Sequence, residues 1–157
     1  MYSFDTSVFM DWQARYYPPD IFIALRTRIE ELITAGKCSA VELVKEEIGA
    51  VGTPELRAWA KSHPALFVSL DPLVQVEAAT IESRYPNLMD PRSTHQEADA
   101  YVIALAKVKD GVVVSQETSA LEKRSAKRTH YIPDVCRDLG IPCMNLLGLM
   151  RREGWTF

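Results

Sequence analysis

The apolar run Val112–Val114, which follows Gly111, is the feature of this sequence that most constrains its fold. A strand without polar alternation suits a position that is buried on both faces, which is typical of parallel sheets covered by helices. The preceding segment supports this interpretation, because Val102, Ile103 and Ala106 share one helical stripe. A helix followed at once by a buried strand predicts part of a βαβ unit.

The other strand signals are short and alternate with helical patterns. We predict strands at Tyr2–Phe4, Cys38–Ala40 and Ile141–Leu146. Apolar residues at helical spacing predict a first long helix, at Ile21, Leu25, Ile29 and Leu32, and a second, at Val41, Val44 and Ile48. The segment Ile132–Leu139 resembles a short helix, which Gly140 ends. We therefore expect one doubly wound α/β domain over residues 1–157, a three-layer α/β/α fold with a central parallel sheet.

The segment from Pro54 to Tyr85 is predicted to form a helical layer over this sheet, interrupted at Pro64 and the apolar Leu66–Val68. Its apolar positions at helical spacing are Leu56 and Trp59 in one piece, and Leu73, Val76, Ala79 and Thr80 in another. Residues Asn87–His95 have no periodicity and collect Pro, Asp, Ser and Thr, which indicates a loop. We expect this loop to be the candidate for a flexible lid.

Length and composition narrow the class of protein. A chain of 157 residues fits one compact domain, and 47% hydrophobic with 25% charged residues is typical of globular proteins. The start of the chain lacks a basic and apolar leader, and no apolar stretch approaches the roughly 18 residues that cross a bilayer. We expect a cytoplasmic protein without membrane contact.

The cysteines and histidines give no sign of a metal site of their own. Neither type shows metal-ligand spacing at its positions, Cys38, Cys136, Cys143, His63, His95 and His130. We predict that the cysteines are buried free thiols, as is common for unpaired cysteines in a reducing compartment.

One segment of the chain carries a cluster of basic residues. The net charge of −3 excludes the general basic coat of many nucleic-acid-binding proteins, so a nucleic-acid contact requires a local patch. Lys123, Arg124, Lys127 and Arg128 form the best candidate for such a patch. A solvated basic loop that binds no partner explains these residues equally well.

Acidic residues follow the predicted strands at the edge of the sheet where function usually lies. In open parallel sheets, ligands bind beyond the carboxyl ends of the strands. Asp5 directly follows the first strand, and Glu117 lies shortly after Val112–Val114. Asp99 begins the helix that leads into that second strand, so it should lie at the same edge as Asp5.

A fourth acid comes from the pair Glu46 and Glu47. Each helical residue advances about 100° around the axis. If Val41, Val44 and Ile48 define the buried face, Glu47 lies roughly 90° from its centre and Glu46 roughly 170°. We predict that Glu47 reaches inward and that Glu46 points to solvent.

Each of these four acids also has an ordinary structural explanation. Asp5 could cap a helix, Asp99 could complement a helix N-terminus, and Glu47 and Glu117 could be solvated surface charges. Together, however, carboxylates within a few ångströms of one another raise each other's pKa unless a cation compensates. A hard divalent ion such as Mg²⁺ or Mn²⁺ is the natural partner of such a group.

Four motifs occur in an order and spacing that resemble a known family. They are Phe4-Asp5-Thr6-Ser7, Val44-Lys45-Glu46-Glu47-Ile48, Ala98–Ala106 and Val112-Val113-Val114-Ser115-Gln116-Glu117. Over nearly the whole chain the sequence resembles the PIN-domain nucleases, which include the VapC-type toxins of toxin–antitoxin pairs. The Trp59 segment and the closing Arg151–Trp155 are similar to those of a prokaryotic PIN-like subfamily. The chain departs from many members by carrying Glu117 where they have Asp, and its segment from about Thr53 to Pro86 is longer than in the smallest members.

The resemblance implies a PIN-like fold and a ribonuclease that depends on Mg²⁺ or Mn²⁺. Asp5, Glu47, Asp99 and Glu117 would be the catalytic residues and metal ligands, and RNA hydrolysis would leave 5′-phosphate and 3′-hydroxyl ends. It also implies the toxin of a toxin–antitoxin pair, with a protein antitoxin and a second copy of the chain as candidate partners.

Two hydroxyl residues and one basic segment would complete the site that the resemblance implies. Thr6 and Ser115 stand beside the acids and could orient carboxylates or water. Their ordinary roles, a helix cap for Thr6 and a strand-end hydroxyl for Ser115, are equally consistent with the sequence. The basic residues after Glu117 would bind RNA phosphates.

Two other classes of function remain. The first is a PIN-like module that binds RNA or protein without turnover. Glu117 supports this alternative, because its side chain is longer than the Asp that many family members carry there. The second is a phosphoryl-transfer enzyme on a Rossmann-like sheet. It is disfavoured because Asp5-Thr6-Ser7 follows the first strand where a glycine-rich phosphate loop would stand.

Overall fold

A five-stranded parallel sheet forms the centre of the fold. The structure is a computed structural model that describes residues 1–94 and 96–157. Its strands are β1 Tyr2–Phe4, β2 Cys38–Val41, β3 Phe67–Val68, β4 Val112–Val114 and β5 Cys143–Met144. They lie in the order β3-β2-β1-β4-β5, and every neighbouring pair is parallel.

Helices cover this sheet in a three-layer α/β/α arrangement, as the alternation of patterns predicts. Within the described residues the α-helices are α1 Thr6–Phe9, α2 Ile23–Thr34, α3 Glu42–Val51, α4 Pro54–Ser62, α5 Pro72–Arg84, α6 Asp99–Val108, α7 Ile132–Leu139 and α8 Leu146–Arg152. Helix α1 continues into the π-helical segment Met10–Tyr16, and single 3-10 turns occur at Pro64–Leu66, Pro86–Leu88 and Ala120–Glu122. No helix of the described residues combines the length and apolar character that would let it span a membrane.

Helix α6 and strand β4 form the middle of one hydrophobic core. All residues of α6 from Ala100 to Ala106 are buried, and Val113 and Val114 of β4 are fully buried. A helix that is apolar on all sides belongs inside a fold, so α6 lies between the sheet and α5. The Ser3 hydroxyl donates to the Val102 carbonyl oxygen at 2.8 Å, which ties α6 to β1.

The chain reverses its direction of winding between β1 and β4, and this is where the acids meet. Strands β2 and β3 lie on one side of β1, whereas β4 and β5 lie on the other. Phe4 pairs with Val114, and the Asp5 backbone N–H donates to the Val114 carbonyl oxygen at 3.0 Å. Ligands of open α/β sheets bind at such a switch point, beyond the carboxyl ends of the strands.

The middle of the chain differs from the sequence prediction in two respects. Phe67 and Val68 are not a break in a helical layer but form the edge strand β3, paired with Ala40 and Val41 of β2. In α5 the predicted apolar stripe is on the wrong face, because Leu73 and Val76 are exposed. The face that packs on the core is formed by Val74, Ala78 and Ile81.

Element ends account for the other differences. Ile21 is exposed and precedes α2, so it is not part of the first long helix. The last strand is shorter than predicted, because Asn145 caps α8 by accepting a hydrogen bond from the Gly148 N–H at 2.8 Å. The predicted loop begins after the turn Pro86–Leu88. His95 at its end lies outside the described residues, and the role of the loop as a lid stays a prediction.

Gly111 provides a test of the packing between β1 and β4. A Cβ atom at this position would lie 2.7 Å from the Met1 carbonyl oxygen, which accepts the Val112 N–H. We expect Gly111→Ala to lower the free energy of unfolding by about 1–3 kcal/mol, the usual cost of overpacking. Gly49→Ala is the matched control, because a Cβ atom there meets nothing within 4 Å in helix α3. It should stabilise by up to about 1 kcal/mol. Urea denaturation of both variants measures the difference, and equal effects would contradict the close approach.

Candidate functional site

Asp5 is the most buried acid of the site, with 4% of its surface exposed. It follows β1 and caps α1, and its Oδ2 accepts from the Ser7 N–H at 3.3 Å and from the Ser7 hydroxyl. The Ser115 hydroxyl, one residue past β4, donates to the same oxygen at 3.0 Å. Burial raises the pKa of Asp5, whereas these hydrogen bonds lower it. The predicted proximity of Asp5 and Ser115 is confirmed, and the cap role of Asp5 is real as well.

Glu47 reaches the same edge from α3. The Thr6 hydroxyl donates to its Oε2, and the Ala98 N–H donates to its Oε1 at 2.9 Å. Because Ala98 directly precedes α6, Glu47 links α3 to the start of α6. Glu47 is half-buried and Glu46 is exposed, so the orientation predicted from helical geometry is confirmed. The role of Glu47 as a metal ligand stays a prediction.

Asp99 and Glu117 complete the acidic group from two further elements. Asp99 is the first residue of α6, and its side chain is 15% exposed. Glu117 follows β4, and its Oε2 accepts from the Ile132 N–H at the start of α7 at 3.0 Å. The Glu117 N–H donates to the Ser115 hydroxyl at 3.1 Å, which positions the turn after β4.

The four carboxylates act on one another electrostatically. Burial raises the pKa of Asp99 well above its ordinary value of 3.8, and the charges of Glu117, Asp5 and Glu47 raise it further, while Arg128 lowers it. Burial and the charge of Asp5 also raise the pKa of Glu117. Burial raises the pKa of Glu47, and Asp5 contributes in the same direction. Four carboxylates from four separate stretches of sequence therefore share one partly dehydrated edge of the sheet.

The basic segment after Glu117 divides into two pairs. Lys123 and Arg128 fold back onto Tyr131, with the Lys123 Nζ 4.3 Å and the Arg128 guanidinium carbon 4.7 Å from the centre of its ring. Arg124 and Lys127 are exposed. Only the second pair presents its charge freely to solvent, so the predicted phosphate contacts fit Arg124 and Lys127 more directly.

Three residues that support this site were not predicted from the sequence. The Ser7 hydroxyl contacts Asp5 and accepts from the Gln116 N–H at 2.9 Å. The Gln116 side chain accepts from the Leu146 N–H at 2.7 Å and donates to Asp11 Oδ2 at 3.2 Å. Glu97, beside Ala98, raises the pKa of Glu47. Closeness to the predicted acids in the sequence was the signal that could have found them. Ser7 stands two residues after Asp5, Gln116 directly precedes Glu117, and Glu97 stands two residues before Asp99.

Among the described residues, no histidine or cysteine makes a hydrogen bond or ion pair with the four acids. A hydrogen bond to Cys136 lowers the pKa of Cys143, whereas the charges of Asp5 and Glu117 raise it. His63 stacks on Trp59 with ring centres 4.4 Å apart, and His130 contacts Tyr85 edge-on at 5.2 Å. The three cysteines are free thiols, and Cys38 and Cys136 are buried, as expected. Cys143 on β5 is half-buried, so for this residue the expectation of full burial is wrong.

A comparison with known families finds a match over almost the whole chain. A family model described as a domain of unknown function, DUF4411, matches residues 2–157. The chain belongs to the DUF4411 family. A comparison with curated proteins finds no significant match.

In this member of the DUF4411 family, the chemistry of the donor set suits Mg²⁺ or Mn²⁺. Both ions prefer oxygen ligands, and a divalent cation would offset the mutual repulsion of crowded carboxylates. Within residues 1–94 and 96–157, no three acids, histidines or cysteines are already arranged as a complete metal site. The carboxylates are instead turned toward their own partners, Thr6, Ala98, Ile132 and Arg128. Binding an ion would therefore require rearrangement of these side chains.

The raised pKa of Asp99 predicts how stability depends on pH without metal. The folded state holds the Asp99 proton more tightly than the unfolded state does. The resulting stabilisation is fully present below the ordinary pKa of 3.8 and is lost as pH rises through the folded-state pKa. In EDTA, the contribution of Asp99 to the free energy of unfolding should fall as pH rises above about 4. Asp99→Asn should flatten this decline, whereas Asp20→Asn, at an exposed acid, should leave it unchanged. Urea denaturation across this pH range tests the sign, and an unchanged slope in Asp99→Asn would contradict it.

Proposed function

We propose that this protein is a ribonuclease that depends on Mg²⁺ or Mn²⁺ and hydrolyses RNA phosphodiester bonds at the acidic edge of its sheet. The contacts of Asp5, Glu47, Asp99 and Glu117 carry the proposal. Arg128 faces both Asp99 and Glu117. The Ser115 hydroxyl donates to Asp5 and accepts from the Glu117 N–H, and Glu47 accepts from the N–H of Ala98, directly before Asp99. A fold does not need four crowded acids at this edge for its stability, since crowding them costs free energy. The order of these acids along the chain is the order in which the PIN-domain resemblance expects them.

The roles of the chain's own residues follow from their contacts. Asp5, Glu47, Asp99 and Glu117 would hold the ion and orient the water that attacks the phosphate. A bound divalent ion supplies charge stabilisation for the phosphate and makes a water molecule more acidic. The Ser115 hydroxyl fixes Asp5 through its hydrogen bond, and the Thr6 hydroxyl fixes Glu47. Such outer hydrogen bonds orient ligands and tune their basicity.

RNA would approach from the side of the basic segment. The exposed side chains of Arg124 and Lys127 offer cations to the phosphate backbone of a protein that is acidic overall. The charge of Lys123 also acts on the acids, since it lowers the pKa of Glu117. These positions favour binding of RNA by its backbone. The proposal includes a cytoplasmic toxin of a toxin–antitoxin pair, with a protein antitoxin and a homodimer as the partners that the resemblance implies.

A binding module without turnover is the second candidate, and the contacts of Glu117 favour it. One carboxylate oxygen of Glu117 accepts from the Ile132 N–H, and the other faces the Arg128 guanidinium at 3.4 Å. A carboxylate with both oxygens engaged is less available to a metal ion. A titration with Mn²⁺ separates the two functions, because the enzyme cleaves RNA in Mn²⁺ and stops in EDTA, whereas the module binds RNA in both.

Substitution of the central acids tests the enzyme directly. Asp5→Asn and Asp99→Asn should each reduce Mn²⁺-dependent RNA cleavage by more than the roughly 10- to 100-fold that loss of an outer hydrogen-bond partner costs. Circular dichroism should show an intact fold, because neither change alters side-chain volume greatly. Cleavage at the wild-type rate in either variant would refute the mechanism.

The pair Glu46 and Glu47 supplies a matched control on the same helix. Glu47→Gln should reduce cleavage strongly, while Glu46→Gln should leave it near the wild-type rate, because only Glu47 faces the other acids. The two variants change charge equally. Equal losses would therefore indicate a general effect of charge and not a role in the site.

A further inference from the structure

The Arg128 guanidinium lies between two of the four acids. Its Nη1 is 3.7 Å from Asp99 Oδ2, and its Nη2 is 3.4 Å from Glu117 Oε1. The side chain of Arg128 is 20% exposed. A single cation therefore contacts carboxylates that come from two different elements, α6 and the turn after β4.

Two further contacts hold Arg128 in this position. Its Nη1 donates to the Leu88 carbonyl oxygen, and its guanidinium lies over the Tyr131 ring. Arginine suits such a place, because its planar group can stack and donate several hydrogen bonds at once. Exposed ion pairs usually contribute little to stability, whereas a cation held among partly buried acids offsets their repulsion and loss of hydration.

Arg128 faces one oxygen each of Asp99 and Glu117, two of the acids that would hold a divalent ion. The Oε2 of Glu117 already accepts from the Ile132 N–H, so Oε1 is the oxygen left for a cation. Arg128 faces this oxygen and Asp99 Oδ2 together. A guanidinium and a divalent ion cannot both sit against these two oxygens without strong repulsion.

We infer that Arg128 is the internal counter-ion of the acidic site and that it releases Asp99 and Glu117 when a divalent ion binds. This inference rests on the proposed metal-dependent function. Arg128 is a positioning residue: it holds the carboxylates together in the metal-free protein and competes with the ion for them. The metal-free and metal-bound states thus differ in which cation neutralises the same pair of acids.

The fold leaves space for the displaced side chain. A cavity of about 440 Å³ borders Arg128 on the side of Met89, Leu121 and Lys127. Rotation of the side chain would bring the guanidinium toward this cavity. There it would lie beside Lys127 and away from the acids.

Calorimetric titration with Mn²⁺ in the absence of RNA tests the competition. Arg128→Gln should bind Mn²⁺ more tightly than the wild-type protein by about 5- to 150-fold, the usual range for coupling between two binding events. Lys123→Gln is the control for charge alone, because Lys123 acts on Glu117 through its field but makes no ion pair with Asp99 in the described contacts. At about 1 M salt, where the Debye length is roughly 3 Å, the effect of Lys123→Gln should vanish and that of Arg128→Gln should persist.

The outcomes separate this inference from the proposed function. If wild-type protein binds Mn²⁺ and Arg128→Gln binds it equally or more weakly, Arg128 does not compete and the inference is wrong, while the metal site stands. If neither protein binds Mn²⁺, the proposed function fails and the inference fails with it.

A measurement on the unaltered protein covers the case in which Arg128→Gln does not fold. The NMR signal of the Arg128 Nε–H should shift as Mg²⁺ is added and should saturate together with metal binding. The corresponding signal of the exposed Arg124 should stay unchanged. No shift at Arg128 on saturation with Mg²⁺ would overturn the inference.

Discussion

Backbone pairing between β1 and β4 is the constraint on which the site depends. The pairing of Phe4 with Val114 places Asp5 and Ser115 side by side, one residue beyond each strand. The hydrogen bond from the Asp5 N–H to the Val114 carbonyl oxygen continues the ladder into the site itself. A slip of one residue would exchange inward and outward side chains along the strand and would separate Asp5 from Ser115.

The other acids are brought to this point by helices, and each is held by a contact outside its own element. Glu47 on α3 is tied to Thr6 and to the backbone of Ala98, which also fixes where α6 begins. Asp99 then follows at the start of α6, next to the acids that raise its pKa. Arg128 offsets part of this repulsion. The fold therefore carries an electrostatic cost at one edge, and the charges of Arg128 and Lys123 compensate it in part.

Local patterns in the sequence predicted much of this arrangement. The strand Val112–Val114, the helix from Asp99 and the inward direction of Glu47 depend on periodicity within a few residues, and all three are confirmed. The edge strand Phe67–Val68 was missed for two reasons. Two residues are too few to show a periodic pattern of hydrophobicity, and the partner strand β2 is distant in the sequence. The buried face of α5 was misassigned because both of its faces carry apolar residues.

The contacts of Arg128 lay beyond such reasoning for a different reason. Its basic segment predicted only a positive patch, whereas its partners Asp99 and Glu117 are set by the folding of a loop onto the sheet edge. The carboxylates themselves were predictable, because each directly follows or begins a recognisable element. The PIN-like function and the metal stay predictions until an ion is shown to bind.

Thermal unfolding in EDTA and in excess Mn²⁺, at matched ionic strength, tests the shared metal site most directly. An ion at about 100 times its dissociation constant stabilises the folded state by roughly 2.7 kcal/mol. For a domain of this size, that gain raises the melting temperature by roughly 5 to 11 °C. We expect this shift in the wild-type protein and its loss in Asp99→Asn. No shift in the wild-type protein, or an equal shift in Asp99→Asn, would contradict a metal site shared by these acids.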